Sequence, residues 1–287
     1  MKTALITGIT GQDGAYLSEL LLEKDYKVFG LIRGSGEPSL KNLDYLNLTR
    51  RIELIPCDLF NLTELTSLLK TISPDEIYNL AAQSSVEISF KRPIETIHFN
   101  VNSVLNLLEV VRTSLPKAKF YQASSSEMFG MVQNLPVDEK TAFHPVSPYA
   151  VSKATGHLLT VNYREAYNLF CCCGILFNHE SILRTEKFVT QKILSTAVRI
   201  SQGSEERLTL GNIKVKRDWG YAPEYIKVMW LMLQKSSPDD YIIATGEAHS
   251  LEDFVDLVFK NLGLNWKNFV DIDKSLFRPS DINVIFG

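Results

Sequence analysis

No apolar run in the 287-residue chain approaches the roughly 18 residues that a membrane-spanning helix needs. The opening MKTALITGITGQ breaks into Thr and Gly after a few apolar residues, too soon for a signal-peptide core. Both absences point to a soluble, cytoplasmic protein with no membrane partner. Positive charge is not in excess either: 30 Lys and Arg against 33 Asp and Glu leave a net charge of -3. The summed field therefore offers nothing to nucleic acid or anionic lipid, and any phosphate must be held by a local site. Cysteine is scarce, and three of the four are consecutive (Cys171, Cys172, Cys173). Neighbouring Cα atoms sit about 3.8 Å apart, closer than an ordinary disulfide allows. The four also lack the paired spacing of a metal site, so neither a disulfide framework nor a metal is expected. CCCGILF reads instead as a buried strand of small apolar residues. No internal repeat or low-complexity tract is present.

What the sequence does have is a regular alternation of strand and helix. TALIT (3–7), KVFGLI (27–32), RIELIPC (51–57), EIYNLA (76–81) and AKFYQAS (118–124) read as strands. GAYLSELLLEKD, TELTSLLKTI and NVNSVLNLLEVVRTSL between them read as helices. Strands joined by helices of this length pair in parallel with right-handed crossovers, so the expected fold is α/β, a doubly wound Rossmann sheet. After about residue 176 the pattern loosens into helices KFVTQKILSTAVRIS, PEYIKVMWLMLQ and SLEDFVDLVFKNLG, with a strand at YIIATG. The expected division is a dinucleotide-binding domain over 1–175, with a strand returned to its sheet near 241–246, and a smaller substrate-side region over 176–287. The last segment, NVIFG, is apolar with no polar exit, which suggests that the natural chain continues.

Gly8, Gly11 and Gly14 form G-x-x-G-x-x-G between the first strand and the first helix. Such glycines let the backbone turn tightly, approach a pyrophosphate and aim the helix N-terminus at its charge. The alternative is a glycine-rich loop that serves packing alone. NAD-binding folds usually end the second strand with an acidic residue that holds the ribose 2′-hydroxyl. Here Arg33 stands in that place and no carboxylate appears until Glu37. An arginine suits a 2′-phosphate, so NADP is favoured over NAD, with a solvated surface arginine as the alternative. Asp58, after the third strand, either hydrogen-bonds an adenine amine or caps a helix.

Tyr149 and Lys153 lie in SPYAVSK, and of eleven tyrosines only Tyr149 has a lysine four residues later. On a helix that spacing puts both side chains on one face. The ammonium is then expected to pull the phenol's pKa from near 10 toward neutrality, making Tyr149 a base for a hydroxyl proton as hydride leaves the same carbon. An exposed Tyr and Lys on a helix surface is the plainer reading.

With these residues in place, TGITGQDGAYLSELLLEK, YNLAAQSSV, FYQASSSEMFG, SPYAVSK, VNYREAYNLF, GILFNHES, KRDWGYAPEY and FRPSDINVIFG resemble the extended short-chain dehydrogenase/reductases. Within that superfamily they resemble the GDP-mannose 4,6-dehydratase family, over nearly the whole length. The resemblance implies a redox-neutral lyase reaction on GDP-mannose in which NADP borrows hydride from C4 and returns it to C6. It assigns Tyr149, Lys153 and the Ser125 hydroxyl to C4, with Ser125 where the family usually has threonine. Glu127 becomes the base and acid that removes the C5 proton and protonates the departing C6 hydroxyl. The residue spacing alone leaves another possibility, a capping box of Ser124 with Glu127.

The resemblance also implies cofactor contacts from Gln12, Asp13, Leu59, Leu80 and Ala82. It implies a grip on the GDP pyrophosphate and ribose by Asn178, Lys192, Lys216, Arg217 and Arg278, lined by Val189, Leu210 and Gly211. Ser84 and Ser85 would touch the hexose, and Glu180 would bond a sugar hydroxyl or brace its loop. A homodimer or homotetramer is the implied assembly. Four departures from the family pattern flank the sugar site or the 2′-phosphate grip: Arg33-Gly34 for paired arginines, Glu87 for a small residue, HESILRT for a loop with Pro and Gly, and Gln191 for a basic residue. Two other readings compete with the lyase. An epimerase or 4-keto reductase on the same fold would not need Glu127. A non-catalytic NADP-dependent sensor should have lost Tyr149 or Lys153.

Overall fold

The structure, a computed structural model, describes residues 1–34, 38–280 and 282–287. Its first half runs β1 (Thr3–Thr7), α1 (Gln12–Glu23), β2 (Lys27–Ile32), α2 (Lys41–Tyr45), β3 (Glu53–Pro56), α3 (Leu62–Ile72), β4 (Glu76–Asn79), α4 (Val86–Lys91), α5 (Pro93–Ser114), β5 (Lys119–Ser125), α6 (Pro148–Tyr167) and β6 (Cys171–Leu176). The second half runs β7 (Asn178–Glu180), α7 (Val189–Ser201), β8 (Leu208–Leu210), β9 (Lys216–Tyr221), α8 (Ala222–Leu233), β10 (Asp240–Ile243), β11 (Ala248–Ser250), α9 (Leu251–Asn261), β12 (Val270–Ile272) and β13 (Val284–Ile285).

Seven strands form one sheet in the order β3-β2-β1-β4-β5-β6-β10, every neighbouring pair parallel. A parallel sheet covered on both faces needs strands that are apolar throughout rather than alternating, and β6 shows it: all six residues of CCCGIL are buried. One face carries α1 and α8, with Leu17, Leu21, Tyr225 and Met229 in a single core cluster. The other carries α3 and α5, with Leu65, Leu69, Leu107 and Val111 in a second. The strand order reverses direction between β1 and β4, which opens a crevice at their C-terminal ends. Thr7 closes that end: its hydroxyl donates to Asn79 Oδ1 (2.6 Å) and accepts from the amides of Leu80 and Ala81 (3.1 Å each).

β10, at Asp240–Ile243, pairs in parallel with β6 at the edge of the main sheet. α8 packs on α1, although it lies in the second half of the chain. α7, β8, α9 and β12 build a third core around Ile193, Leu208, Val255 and Phe259. β7, β11 and β13 pair with β9 beside it. Among the described residues no helix is long and apolar enough to cross a membrane.

Candidate active site

The glycine cradle has the shape a dinucleotide requires. Gly8 turns at φ +70°, and a Cβ there would stand 2.9 Å from Ala81 N. Gly11 is the N-cap of α1, so no side chain caps the helix's first turn. A Cβ on Gly14 would lie 2.6 Å from Gly8 O and 2.5 Å from Ile9 Cα, both backbone atoms that cannot step aside. The residues fit a pyrophosphate at the α1 N-terminus, where the dipole and first-turn amides favour negative charge. Gly14→Ala is accordingly expected to destabilise the fold by about 2 kcal/mol or more through overpacking and to abolish binding of the nicotinamide dinucleotide. Urea denaturation and cofactor titration check this.

Leu80 and Ala82 follow β4 at the crevice and are half-buried, and Leu59 is buried. Arg33 is exposed at the end of β2 with its guanidinium 5.8 Å from the centre of the Phe99 ring. Glu37 lies outside the described residues. Asp58 does not cap a helix: α3 begins three residues later on Asn61, which accepts from Glu64 N, while Asp58 Oδ1 accepts from Phe60 N at 3.0 Å.

Tyr149 and Lys153 occupy the first turns of α6, which starts at Pro148 behind a Ser147 cap. Both are buried, not exposed on a helix surface. The expected lowering of the phenol pKa is overturned in the protein alone. Burial pushes Tyr149 up to about 12, with the Glu127 charge adding to the rise and the hydrogen bond from Ser125 opposing it. The lysine turns its ammonium to the Ala123 carbonyl, 2.8 Å away, and stands 5.9 Å from the phenol ring centre. Burial lowers Lys153 to about 8, against the pull of Asp13.

The Ser124–Glu127 capping box does not form. Ser124 Oγ lies 3.0 Å from His157 Nδ1 on the other side of β5. The short turn Ser126–Met128 is capped by Ser125, whose Oγ accepts from Glu127 N at 3.3 Å. Among the described residues the Glu127 carboxylate makes no hydrogen bond, and its charge bears on the Tyr149 phenol. Ser125, Glu127, Tyr149 and Lys153 thus come together at the C-terminal end of β5.

On the substrate side the picture is mixed. Ser85 caps α4 by accepting from Ile88 N, and Ser84 is exposed beside it. Asn178 and Glu180 sit on β7, half-buried; burial raises the Glu180 carboxyl, against Arg184, whose Nε is 3.3 Å away. Val189 starts α7 exposed, and Lys192 Nζ donates to Thr209 O at 2.7 Å. Leu210 is buried, and Gly211 runs so close to Leu276 O that a Cβ would be 3.0 Å from it. Lys216 and Arg278 are exposed, whereas Arg217 is buried and donates to Ile282 O at 2.6 Å. In this conformation Arg217 anchors the segment before β13.

A family model described as GDP-mannose 4,6 dehydratase matches residues 5–287. The chain belongs to that family. Among its relatives, GDP-mannose 4,6 dehydratase 2 of Arabidopsis thaliana is 49% identical across all of this chain and 79% of its own length. GDP-mannose 4,6-dehydratase of Vibrio cholerae is 46% identical across all of this chain and 86% of its own. Among solved structures, dTDP-glucose 4,6-dehydratase from Bacillus anthracis, in complex with NAD, has a TM-score of 0.85 at 20% identity, over 100% of this chain and 87% of that one. UDP-glucose 4-epimerase from Thermus thermophilus, also with NAD, has a TM-score of 0.85 at 23% identity, over 99% and 89%. These two likenesses show the fold.

Of the departures from the family pattern, Glu87 is exposed and pairs with Lys91 one turn along α4, 2.5 Å away. Two residues near the site were not singled out from the sequence. Arg184, in the HESILRT segment, stacks its guanidinium 3.5 Å from the centre of the Phe188 ring and exerts its charge on Tyr149 and Asp13. His179 lies between two residues that were singled out, Asn178 and Glu180, and is buried against Asp13. A lone histidine on a three-residue strand carries no local signal; only the long-range contact reveals it.

Proposed function

We propose that the protein is a nucleotide-sugar 4,6-dehydratase that converts GDP-mannose to GDP-4-keto-6-deoxymannose with tightly held NADP. The observation that carries this is Glu127: a carboxylate beside the Ser125–Tyr149 pair that is not spent on backbone amides among the described residues. Bound NADP would supply a hydride acceptor for C4 and, once reduced, a hydride donor for C6. Its holders would be Gly8, Gly11, Gln12, Asp13, Gly14, Arg33, Asp58, Leu59, Leu80 and Ala82. Arg33 at the end of β2 supports NADP over NAD.

In this reading Ser125 hydrogen-bonds the C4 oxygen and Tyr149 takes its proton. The resulting 4-keto group acidifies C5; Glu127 removes the C5 proton and passes it to the C6 hydroxyl, which leaves as water, and hydride addition at C6 is matched by return to C5 of the proton that Tyr149 took from the C4 hydroxyl. Lys153, one helical turn from Tyr149, supplies the positive field that a phenolate requires. Residues 1–175 with the returning strand hold the cofactor, and 176–287 hold the nucleotide sugar through Asn178, Glu180, Lys192, Lys216, Arg217 and Arg278. A homodimer or homotetramer is supported by the apolar surface of α5 and α6, where Ile94, Ile97 and Val151 line adjoining depressions. Four free, buried thiols support a reducing, cytoplasmic setting.

Incubation with GDP-mannose and no added reductant tests the reading. A 4-keto-6-deoxy product with no net NADPH consumption is the expected result. A changed stereocentre or NADPH oxidation would indicate an epimerase or reductase, and inertness a non-catalytic protein.

A further inference from the structure

A carboxylate inside the phosphate cradle calls for an explanation. Asp13 stands in the first turn of α1: its backbone amide is among those that would hold a pyrophosphate, but its carboxylate, which the helix dipole favours, would repel that same group. Its field reaches Tyr149, Lys153 and Tyr121. An uncompensated charge here would oppose both cofactor binding and formation of a phenolate.

The compensating group comes from the other half of the chain. His179 Nε2 is 3.0 Å from Asp13 Oδ2, and Nδ1 is 2.7 Å from the Phe177 carbonyl. A carbonyl only accepts, so Nδ1 carries a proton. A carboxylate also only accepts, so Nε2 carries one too, and the ring is an imidazolium. The protonation directions agree: burial opposes charge on both groups, yet each holds the other charged, with His179 raised and Asp13 lowered. The ring is buried and stacked on Tyr225 of α8, centroids 4.8 Å apart. The other charges around it are Arg184 and Glu180. Beside the pair, Gln12 Nε2 donates to the His179 carbonyl (3.2 Å) and to Asp13 Oδ1 (3.0 Å), while Ser181 Oγ donates to Gln12 Oε1 (2.8 Å).

We infer that His179 is a positioning residue: a fixed imidazolium that cancels the Asp13 charge in the pyrophosphate cradle and, through Gln12 and Ser181, docks the substrate-side strand β7 onto the first turn of α1. The inference rests on the cradle being a nicotinamide dinucleotide site but not on which sugar is dehydrated. The two are separable, because NADP+ affinity is measured without GDP-mannose. Turnover of GDP-mannose by the unmodified protein tests the dehydratase reading alone.

The test compares NADP+ dissociation constants of the parent, His179→Gln, Asp13→Asn and the double variant. His179→Gln, which leaves the carboxylate uncompensated, is expected to weaken binding tenfold or more, since 1.4 kcal/mol of repulsion is already tenfold. Adding Asp13→Asn removes the repelling charge and is expected to recover most of that loss, which a merely structural contact would not do. A double variant as weak as His179→Gln, or a His179→Gln protein with parental affinity, overturns the inference. Nitrogen NMR of the parent's His179 ring is independent of any variant's folding. Two protonated nitrogens at neutral pH support the inference, and one deprotonated nitrogen overturns it.

Discussion

Glu127→Gln is expected to slow water loss by about a thousandfold, within the range that a positioned acid or base contributes, while leaving NADP+ affinity and the fold unchanged. The substitution is nearly isosteric, and the Glu127 carboxylate makes no hydrogen bond among the described residues, so no structural contact is lost. The backbone amide of residue 127 still donates to Ser125 Oγ, and the turn that presents the side chain stays capped. What disappears is the carboxylate beside Ser125 and Tyr149 to which the proposed mechanism gives the C5 proton and the protonation of the C6 hydroxyl. Oxidation at C4 does not need that group. A single turnover should therefore reduce the nicotinamide and stall, with reduced cofactor accumulating and no exchange of the C5 hydrogen into deuterated solvent. If cofactor binding and C4 oxidation fall together with dehydration, Glu127 is holding the loop rather than moving a proton.

Much of this site could be read before any coordinates because it sits at ends of elements with strong local patterns. The middle of TALIT and all of CCCGIL are continuously apolar, which is what burial on both sides of a parallel sheet demands, and β1 and β2 fall on the residues expected. The i,i+4 spacing put Tyr149 and Lys153 on one face of α6. Spacing is blind to burial, however, and burial is what drives the phenol up to about 12 in the protein alone. The short helices α2 and α4 escaped notice because five or six residues cannot display a helical period. α5 begins seven residues before its apolar pattern, at Pro93, since a proline is favoured in a helix's first turn whatever the pattern that follows. Ser124 and Asp58 look like caps in sequence. Ser124 instead faces His157 across β5, and α3 starts later than Asp58. His179 depends on a partner 166 residues away, Asp13, so no window of sequence contains both, whereas the contacts of Arg184 with Glu180 and Phe188 are local and only its field at Tyr149 and Asp13 is long-range.

Lys153→Met should produce opposite changes in activity and stability. The amine is buried, and burial lowers its pKa from the ordinary 10.5 to about 8. At neutral pH it is charged in both the folded and unfolded chains, and the folded state bears the desolvation. That shift corresponds to about 3 kcal/mol of folding free energy. Met fills a similar volume with no charge. The Ala123 carbonyl that loses the ammonium still accepts from Gln122 Nε2 at 3.2 Å, so little offsets the gain. The nucleotide-free variant is expected to be about 2–3 kcal/mol more stable than the parent at pH 7 by urea denaturation. The advantage should be full below about pH 8, shrink as the pH rises through the interval in which only the unfolded lysine holds its proton, and vanish above the ordinary lysine range. Turnover should fall by about a thousandfold, because the phenolate of the proposed mechanism loses its nearest ammonium and only the Ser125 hydrogen bond and the Arg184 charge are left to oppose burial. A variant that loses activity without gaining stability would mean that the lysine is not charged at the site, and the electrostatic role given to it in generating the phenolate would fail.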